Sequence, residues 1–278
     1  GIFTTTGFQA ADLGHPGWIF ALWIVGGLLA LCGALSFAEL GAMMPRAGAE
    51  YVYIREAFGQ TTAFMSAFVA LIAGFSAPIA AALKSFVQYL GHFIPVLADS
   101  PTIAGLVTVN DLIAIALVWA LVVLHSVGVR TGLGFTDLVT ALKVFGIVGI
   151  IIAAFAFGTG DASGLTYVSP RYNDLATADL FARLATALIF VNFCYLGWNG
   201  AAYMAGEMND PQRVLPRALL GGTALVTLLY LGLNAVYLYG AKVDELVQPL
   251  EGGGVMGIVE VGLVSARALF GPTAVSFV

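Results

Sequence analysis

Long runs of apolar residues, separated by short polar segments that hold most of the charges, dominate this chain. A helix of about 20 apolar residues crosses the roughly 30 Å of hydrocarbon in a bilayer, and these runs are about that long. The pattern therefore predicts an all-α polytopic membrane protein, with residues 1–278 forming part of a single transmembrane transport domain. The predicted helices cover residues 1–13 (the outer half of a first helix), 17–44, 59–90, 107–127, 132–157, 179–205, 216–240 and 267–278 (the start of an eighth).

Composition agrees with a membrane protein. Of the 278 residues, 60% are apolar and 10% are charged, whereas soluble domains carry roughly 25% charged residues. The net charge of −5 comes without a basic stripe that could follow phosphates, so we expect no nucleic acid partner. Cys32 and Cys194 lie in separate apolar runs and in no metal-binding spacing, so we expect free thiols, no metal and no cofactor.

The ends of the chain indicate an excerpt of a longer protein. The chain begins at Gly1 without a methionine and ends at Val278 inside an apolar run, so we expect truncation at both ends. Basic residues in short loops mark the cytoplasmic side. With the polar stretch 45–58 on that side, alternation of the helices places the missing start of the protein in the cytoplasm. The loop arginines that alternation then places inside are Arg46, Arg55, Arg130, Arg213 and Arg217.

The second run carries a small residue at every fourth position. Such stripes let two helix backbones approach closely in lipid, where apolar side chains gain little by leaving hydrocarbon. The stripe therefore predicts a packing seam. Its members are Gly26, Ala30, Ala34, Ala38 and Ala42.

The sixth predicted span has glycines, asparagines and aromatic residues at its centre, residues 192–200. Gly197 and Gly200 weaken helix propensity where a plain membrane anchor would carry Leu or Val. A helix that breaks at mid-membrane exposes N–H groups and carbonyls at its half-helix ends, which bind a carboxylate and an ammonium respectively. From the residues alone, both a binding site and a glycine-mediated packing kink stay open.

Lys143 lies inside the fifth predicted span. A lysine at the bilayer centre costs at least about 2.5 kcal/mol, so it normally faces an interior partner or a transport pathway. A functional role is the preferred hypothesis. The alternative is that the span begins later and that Lys143 reaches the cytoplasmic headgroups along its own stem.

Two carboxylates, Glu39 and Glu207, lie near predicted cytoplasmic helix ends. A carboxylate at a helix C-terminus opposes the helix dipole, so each needs a partner such as Arg46 or Arg213. An ion pair that closes a gate and simple solvation at the interface both stay open.

Three groups of motifs follow one another along the chain. They are GIFTTTG at residues 1–7; SFAELG at 36–41, MPRAGAEYVY at 44–53 and REAFG at 55–59; and YLGWN at 195–199, AGE at 205–207, NDPQR at 209–213 and LPRA at 215–218. They resemble the amino acid-polyamine-organocation (APC) permeases, most of all the L-type amino acid transporter branch and its bacterial relatives. The resemblance covers essentially the whole chain. It implies the LeuT-like fold, an inverted five-helix repeat with discontinuous first and sixth helices.

The resemblance also implies where a substrate binds. Gly1 matches the last glycine of the family's GSG element, whose amides hold the substrate carboxylate, and the unwound sixth helix offers carbonyls to the ammonium. Phe193 takes the position of an aromatic lid, and Asn199 helps define the pocket. The implied substrate-binding residues are Gly1, Ile2, Phe193, Cys194, Tyr195, Leu196, Gly197 and Asn199.

Lys143 gains a role from the same resemblance. It matches a fifth-helix lysine of sodium-independent members, in which the ammonium replaces a sodium ion and links the first and eighth helices. This implies exchange or proton coupling, with a proton or a counter-substrate as the coupling partner. A lysine in a cavity can have a lowered pKa, so Lys143 could itself exchange the proton.

We therefore expect a secondary active transporter, a permease or exchanger, that carries neutral L-amino acids by alternating access without sodium. The expected surroundings are a lipid bilayer, the inner (plasma) membrane of a bacterium. A zwitterionic cargo is favoured because no intramembrane carboxylate near residues 193–200 offers itself to a cation.

The same sequence features are compatible with other functions of a membrane protein. A permease of the same fold for a cationic amino acid, a polyamine or a nucleobase is the first alternative, and an amino acid sensor that does not transport is another. A channel would need a continuous polar pathway. No enzyme is expected, because no paired aspartates, Ser/His pair or metal triad is visible.

Overall fold

The computed structural model describes residues 1–94, 102–103, 107–172, 176–249, 255–257 and 261–271. By its contacts the chain forms two compact units, one made of Gly1–Tyr53 with Ile147–Val278 and the other of Ile54–Gly146. Two helices, Glu50–Phe58 and Val129–Phe157, contribute residues to both. The single domain over residues 1–278 stays a prediction.

The helices of the first unit belong to the two ends of the chain. They are α1 (Ile2–Leu13), α2 (Pro16–Met43), the start of α3 (Glu50–Phe58), the end of α7 (Val129–Phe157), α8 (Thr177–Tyr195), α9 (Gly200–Tyr203), α10 (Pro211–Gly240) and α11 (Val261–Phe270). Short 3-10 helices cover Ala162–Leu165, Pro170–Tyr172, Ala205–Glu207 and Val243–Leu246, and an antiparallel hairpin joins β3 (Val247–Pro249) to β4 (Val255–Gly257).

The second unit is simpler. It holds the rest of α3, α4 (Gln60–Val69), a π-helical stretch (Ala70–Ser76), α5 (Ala77–Phe93), the strands β1 (Thr102–Ile103) and β2 (Val107–Thr108), α6 (Val109–Val127) and the first part of α7. Almost none of the apolar surface of Gln60–Gly91 and Val109–Val127 is buried within the described chain. Near the C-terminal end of the span Gln60–Gly91, Lys84 Nζ on α5 lies 3.2 Å from Asp111 Oδ1 on α6.

Within the part of the chain that the structure describes, six helices are long and apolar enough to cross a membrane. They are Pro16–Met43, Gln60–Gly91, Val109–Val127, Gly132–Phe157, Thr177–Tyr195 and Pro211–Gly240. Apolar side chains that would be misplaced in water, such as Phe64, Trp119 and Leu142, are therefore suited to contact lipid. The all-α membrane fold predicted from the sequence is confirmed.

Several boundaries differ from the predicted ones. The span predicted over 179–205 is interrupted after Tyr195, and α10 begins at Pro211 instead of 216 because proline is tolerated in the first turn of a helix. α11 begins at Val261, six residues before the predicted start, because its first residues are buried in the core. Of the predicted span over 267–278, the part after residue 271 lies outside the described residues.

The small residues of α2 form a seam, as the stripe predicted. Gly26, Ala30, Ala34 and Ala38 are buried on the face of α2 that meets α8 and α10. A Cβ on Gly26 would lie 2.5 Å from Val191 Cγ1, which shows how closely the two helices approach. The backbones can come this near only because the stripe lacks larger side chains.

An aromatic cluster lies beside this seam. The rings of Trp23, Tyr195 and Tyr230 contact one another pairwise, with centroid separations between 5.1 and 5.9 Å. Trp23 and Tyr195 are buried. This cluster joins α2, α8 and α10 at the depth where α8 ends.

The C-terminal end of α1 is held by a loop and by α8. Gly14 ends α1 with a φ of +52°, and its carbonyl accepts from the backbone N–H of Ser169 at 2.9 Å. Arg183 Nη1 donates to the carbonyl of Asp12 at 2.8 Å, which suits the negative end of the helix dipole. In the neighbouring loop, two hydrogen bonds lower the pKa of the exposed Asp161 carboxyl. The larger effect comes from the Ser163 hydroxyl and the smaller from the Ser163 backbone N–H.

Candidate functional site

The break in the sixth span lies between α8 and α9. α8 ends at Tyr195, Leu196 takes an extended conformation, and Gly197 has a φ of +102°. Helix resumes at Gly200. No atom lies within 4 Å of the position that a Gly197 Cβ would take, so glycine is required there by the backbone conformation and not by crowding.

A helix that stops in the middle of a span leaves its last carbonyls without intrahelical partners. Two of these find partners nearby: the carbonyl of Phe193 accepts from Leu196 N–H at 3.3 Å, and the carbonyl of Cys194 accepts from the Tyr230 hydroxyl at 2.9 Å. A carbonyl oxygen has two lone pairs, so each keeps capacity for a further donor.

The N-terminus of α1 supplies the opposite kind of group. Gly1 precedes the helix, and its carbonyl accepts from the backbone N–H groups of Thr4 and Thr5 at 2.9 and 3.0 Å. The family resemblance implies that the chain is unwound just before Gly1 in the full-length protein. The amides of Ile2 and Phe3 then have no intrahelical acceptor, and the helix dipole makes this end positive. An anion is stabilised there.

The structure brings these two helix ends together. Thr5 Oγ1 lies 3.1 Å from Cys194 Sγ, which places the start of α1 beside the last turn of α8. Donors and acceptors suited to a carboxylate and to an ammonium therefore meet in one place.

A cavity of about 340 Å³ adjoins the break. Residues 194–198 form one wall, and α10 forms the other through small or polar residues such as Gly222 and Thr223. Among the described residues that line it, none is charged. Its size is at the lower end of the range for small-molecule sites.

The predicted site residues all belong to the first unit, but only Cys194, Tyr195, Leu196 and Gly197 line the cavity, and the eight differ in exposure. Gly1, Phe193, Leu196 and Gly197 are exposed, and Asn199 is half-buried at the start of α9. Ile2 and Tyr195 are buried in the core, and the Tyr195 hydroxyl donates to the carbonyl of Trp23 at 3.0 Å. The side chain of Tyr195 is therefore already committed to packing.

Lys143 belongs to the second unit. It lies on α7, exposed within the described chain, 11 residues after the start of the span Gly132–Phe157. At 1.5 Å per residue this is about 16 Å along the helix, close to the middle of a bilayer. That depth weakens the snorkelling interpretation, and the coupling role stays a prediction.

The segments that carry two of the predicted gating residues meet in the first unit. The Gly48 N–H donates to the carbonyl of Tyr203 at 3.3 Å, and a Cβ on Gly206 would lie 3.0 Å from the Ala47 nitrogen. The loop of Arg46 therefore packs directly against the 3-10 helix that ends at Glu207. An ion pair among Glu39, Arg46 and Glu207 stays a prediction.

Sequence reasoning missed four polar residues around the break: Thr5, Thr6, Tyr230 and Asn234. Thr6 and Asn234 are fully buried, with Thr6 Oγ1 donating to Asn234 Oδ1 at 2.8 Å. One signal was available in the sequence. Asn234 and Tyr230 lie four residues apart on one face of an apolar span, where a polar pair needs an explanation.

A family model described as amino acid permease matches residues 1–277. The serine/threonine exchanger SteT of Bacillus subtilis (strain 168) is 30% identical over 248 residues, which are 89% of this chain and 52% of the exchanger. The b(0,+)-type amino acid transporter 1 of Mus musculus is 30% identical over 254 residues, 89% of this chain and 49% of that protein.

A third relative is the large neutral amino acids transporter small subunit 2 of Homo sapiens. It is 28% identical over 251 residues, which cover 89% of this chain and 45% of that protein. The chain thus spans about half the length of the curated relatives it matches.

Proposed function

The chain belongs to the amino acid permease family, and from this premise we propose that the full-length protein is a secondary active transporter of neutral L-amino acids. It works by alternating access and without sodium, in the inner membrane of a bacterium. Its substrate lies at the break between Tyr195 and Gly200, with the carboxylate at the start of α1 and the ammonium at the end of α8.

One observation carries the proposal: the contact of 3.1 Å between Thr5 and Cys194. Because of it, the start of α1 lies beside the end of α8, and the resemblance gives these two helix ends opposite partial charges. An amino acid is the simplest solute that carries a carboxylate and an ammonium on neighbouring atoms, so it satisfies both ends at once.

The charge of the cargo follows from the side chains around the break. The described residues that line the adjoining cavity bear no charge. A charged substrate side chain would lose its hydration there without a counter-ion, whereas a neutral one would not. The relatives named for serine and threonine and for large neutral amino acids support this choice.

Coupling by exchange is proposed for two reasons. One relative is named an exchanger, and Lys143 places an amine near the middle of its span, where by the family resemblance an ammonium takes the place of a sodium ion. The coupling partner is a counter-substrate, or a proton carried by Lys143.

The proposal is tested with the full-length protein in proteoliposomes. Uptake of each of the twenty labelled amino acids is measured with and without internal amino acid, sodium and a proton gradient. We expect neutral amino acids to enter, faster when amino acid is present inside, and equally with or without sodium. Preference for arginine, lysine or a polyamine would contradict the proposal of a neutral substrate. Binding without uptake would favour a sensor.

A further inference from the structure

The cavity beside the break continues along one face of α10. The residues of α10 that line it are Ala218, Leu219, Gly222, Thr223, Val226 and Tyr230. They follow one another at intervals of one, three or four positions, so they lie on one side of the helix. From the first to the last of them is about 18 Å at 1.5 Å per residue. The cavity therefore reaches beyond the end of α8, where the ammonium of the substrate is placed.

The wall formed by α10 is suited to an apolar side chain. Two of its residues carry hydroxyls, and both are already hydrogen-bonded: Thr223 donates to the carbonyl of Leu219 at 2.7 Å, and Tyr230 donates to that of Cys194 at 2.9 Å. The other four have no polar side chain. A charged substrate side chain would lose its hydration here without a partner, whereas an apolar one gains by leaving water.

Gly222 is an open point in this wall. No atom lies within 4 Å of the position that a Gly222 Cβ would take. Glycine is among the least favourable residues for the interior of a helix, and at this position no neighbouring group excludes a larger one. The missing side chain leaves space in the cavity, and any side chain introduced at Gly222 would occupy that space.

Trp198 forms a rigid part of the opposite wall. A Cβ on Gly33 of α2 would lie 2.7 Å from the Trp198 ring, and the ring of Phe37 meets it edge-on at a centroid distance of 5.1 Å. Because interiors are close-packed, the indole cannot move aside for a ligand unless α2 moves as well. The space available to a ligand is therefore set on the α10 side, at Gly222 and Val226.

We propose that this cavity receives the side chain of the substrate and that Gly222 sets the largest side chain accepted, so that leucine and phenylalanine are substrates as well as serine. This inference rests on the proposed function. Cys194 belongs to both places, since it lies in the last turn of α8 and also lines the cavity. A substrate held at the two helix ends can thus extend its side chain along α10 without leaving them.

Substitutions that change the cavity volume in opposite directions test this in the full-length protein. Gly222→Val fills the cavity and Val226→Ala enlarges it. Gly221→Val is the control, because it makes the same change in open space on the same helix, at a residue that is not among those described as lining the cavity. The measurements are the KM and the maximal rate of exchange for L-serine, L-leucine and L-phenylalanine in proteoliposomes.

Gly222→Val is expected to raise the KM for leucine and phenylalanine at least about 10-fold, the effect of surplus methyl groups in a closed pocket, and that for serine less than about threefold. Val226→Ala is expected to lower the KM for phenylalanine roughly threefold relative to that for serine, since more apolar surface fits. A general loss of stability cannot produce this gain. Gly221→Val is expected to transport all three substrates as the wild type does.

Equal rises in KM for serine and phenylalanine in Gly222→Val, unchanged KM values for leucine and phenylalanine, or the same selective loss in Gly221→Val would each overturn the inference while the proposed function stands. Should Gly222→Val fail to fold, Gly222→Ala and Val226→Ala decide the matter. A wild-type protein that transports serine but neither leucine nor phenylalanine also overturns this inference alone. A wild-type protein that binds none of the twenty amino acids overturns the proposed function, and this inference with it.

Discussion

Thr5 and Cys194 are 189 positions apart in the chain, yet their side chains lie 3.1 Å from each other, Oγ1 to Sγ. This contact joins the first turns of α1 to the last turn of α8. A helix start and a helix end meet there, and the described residues that line the adjoining cavity bear no charge, so the helix dipoles supply the polarity. The following predictions concern this meeting point and the elements that hold it.

Bound substrate is expected to protect Cys194 from alkylation, because the thiol lies at the wall of the site. At a substrate concentration about ten times Kd, the rate of modification by a maleimide should fall about tenfold. An amino acid that does not bind in the uptake panel is the control. The rates are measured by mass spectrometry of the Cys194 peptide; equal protection by that amino acid, or no protection by the substrate, would place the substrate elsewhere.

Gly197 and Gly200 are expected to respond differently to alanine. Both have open space where a Cβ would lie, but only Gly197 has a positive φ. Gly197→Ala therefore strains the turn by roughly 1–2 kcal/mol and is expected to weaken serine binding about tenfold. Gly200→Ala lies at a helix start and is expected to bind normally. The comparison uses Kd values from equilibrium binding, and equal affinities would remove the turn from the site.

Gly257 is expected to tolerate no side chain. A Cβ there would lie 2.2 Å from the backbone of Gly7 in α1, and backbone cannot move aside as a flexible side chain does. Gly257→Ala is expected to lower the free energy of unfolding by about 1–3 kcal/mol. Gly221→Ala, in open space on α10, is the control. Thermal unfolding in detergent measures both, and an unchanged Tm in Gly257→Ala would show that the hairpin does not pack on α1.

Lys143 and Lys84 form a matched pair of lysines in the second unit. Lys84 is paired with Asp111 at 3.2 Å near the end of its span, whereas Lys143 lies near the middle of its own. Lys143→Ala is expected to abolish most exchange, while Lys84→Ala leaves exchange nearly intact. Proteoliposome uptake with and without sodium is the measurement. Unchanged uptake in Lys143→Ala, or uptake that requires sodium, would remove the coupling role.

Much of the fold could be predicted because it follows from local physics. The thickness of the bilayer sets the length of each span. The small residues of α2 allow its close packing, and the low helix propensity near Gly197 favours the break in the helix. These signals need no knowledge of which helices are neighbours.

The polar network could not be predicted in the same way. The bond from Thr6 to Asn234 joins residues 228 positions apart, and only the packing of α1 on α10 creates it. The sequence predicts a start of α11 that is too late, because the charged residues between 244 and 260 are typical of a loop. In the structure, Val261 and Leu263 are buried in the core and belong to the helix. Burial outweighed local composition there.

Competition by substrate analogues tests the central claim most directly. In a counterflow assay with the full-length protein and labelled L-serine, three unlabelled compounds compete: L-serine, L-serinamide, which lacks the carboxylate, and 3-hydroxypropionate, which lacks the amine. Binding by the two helix ends predicts that only L-serine competes, with each analogue at least roughly 100-fold weaker because a buried charge-assisted contact is lost. Competition by either analogue at a concentration close to that of L-serine would contradict the site at the start of α1 and the end of α8.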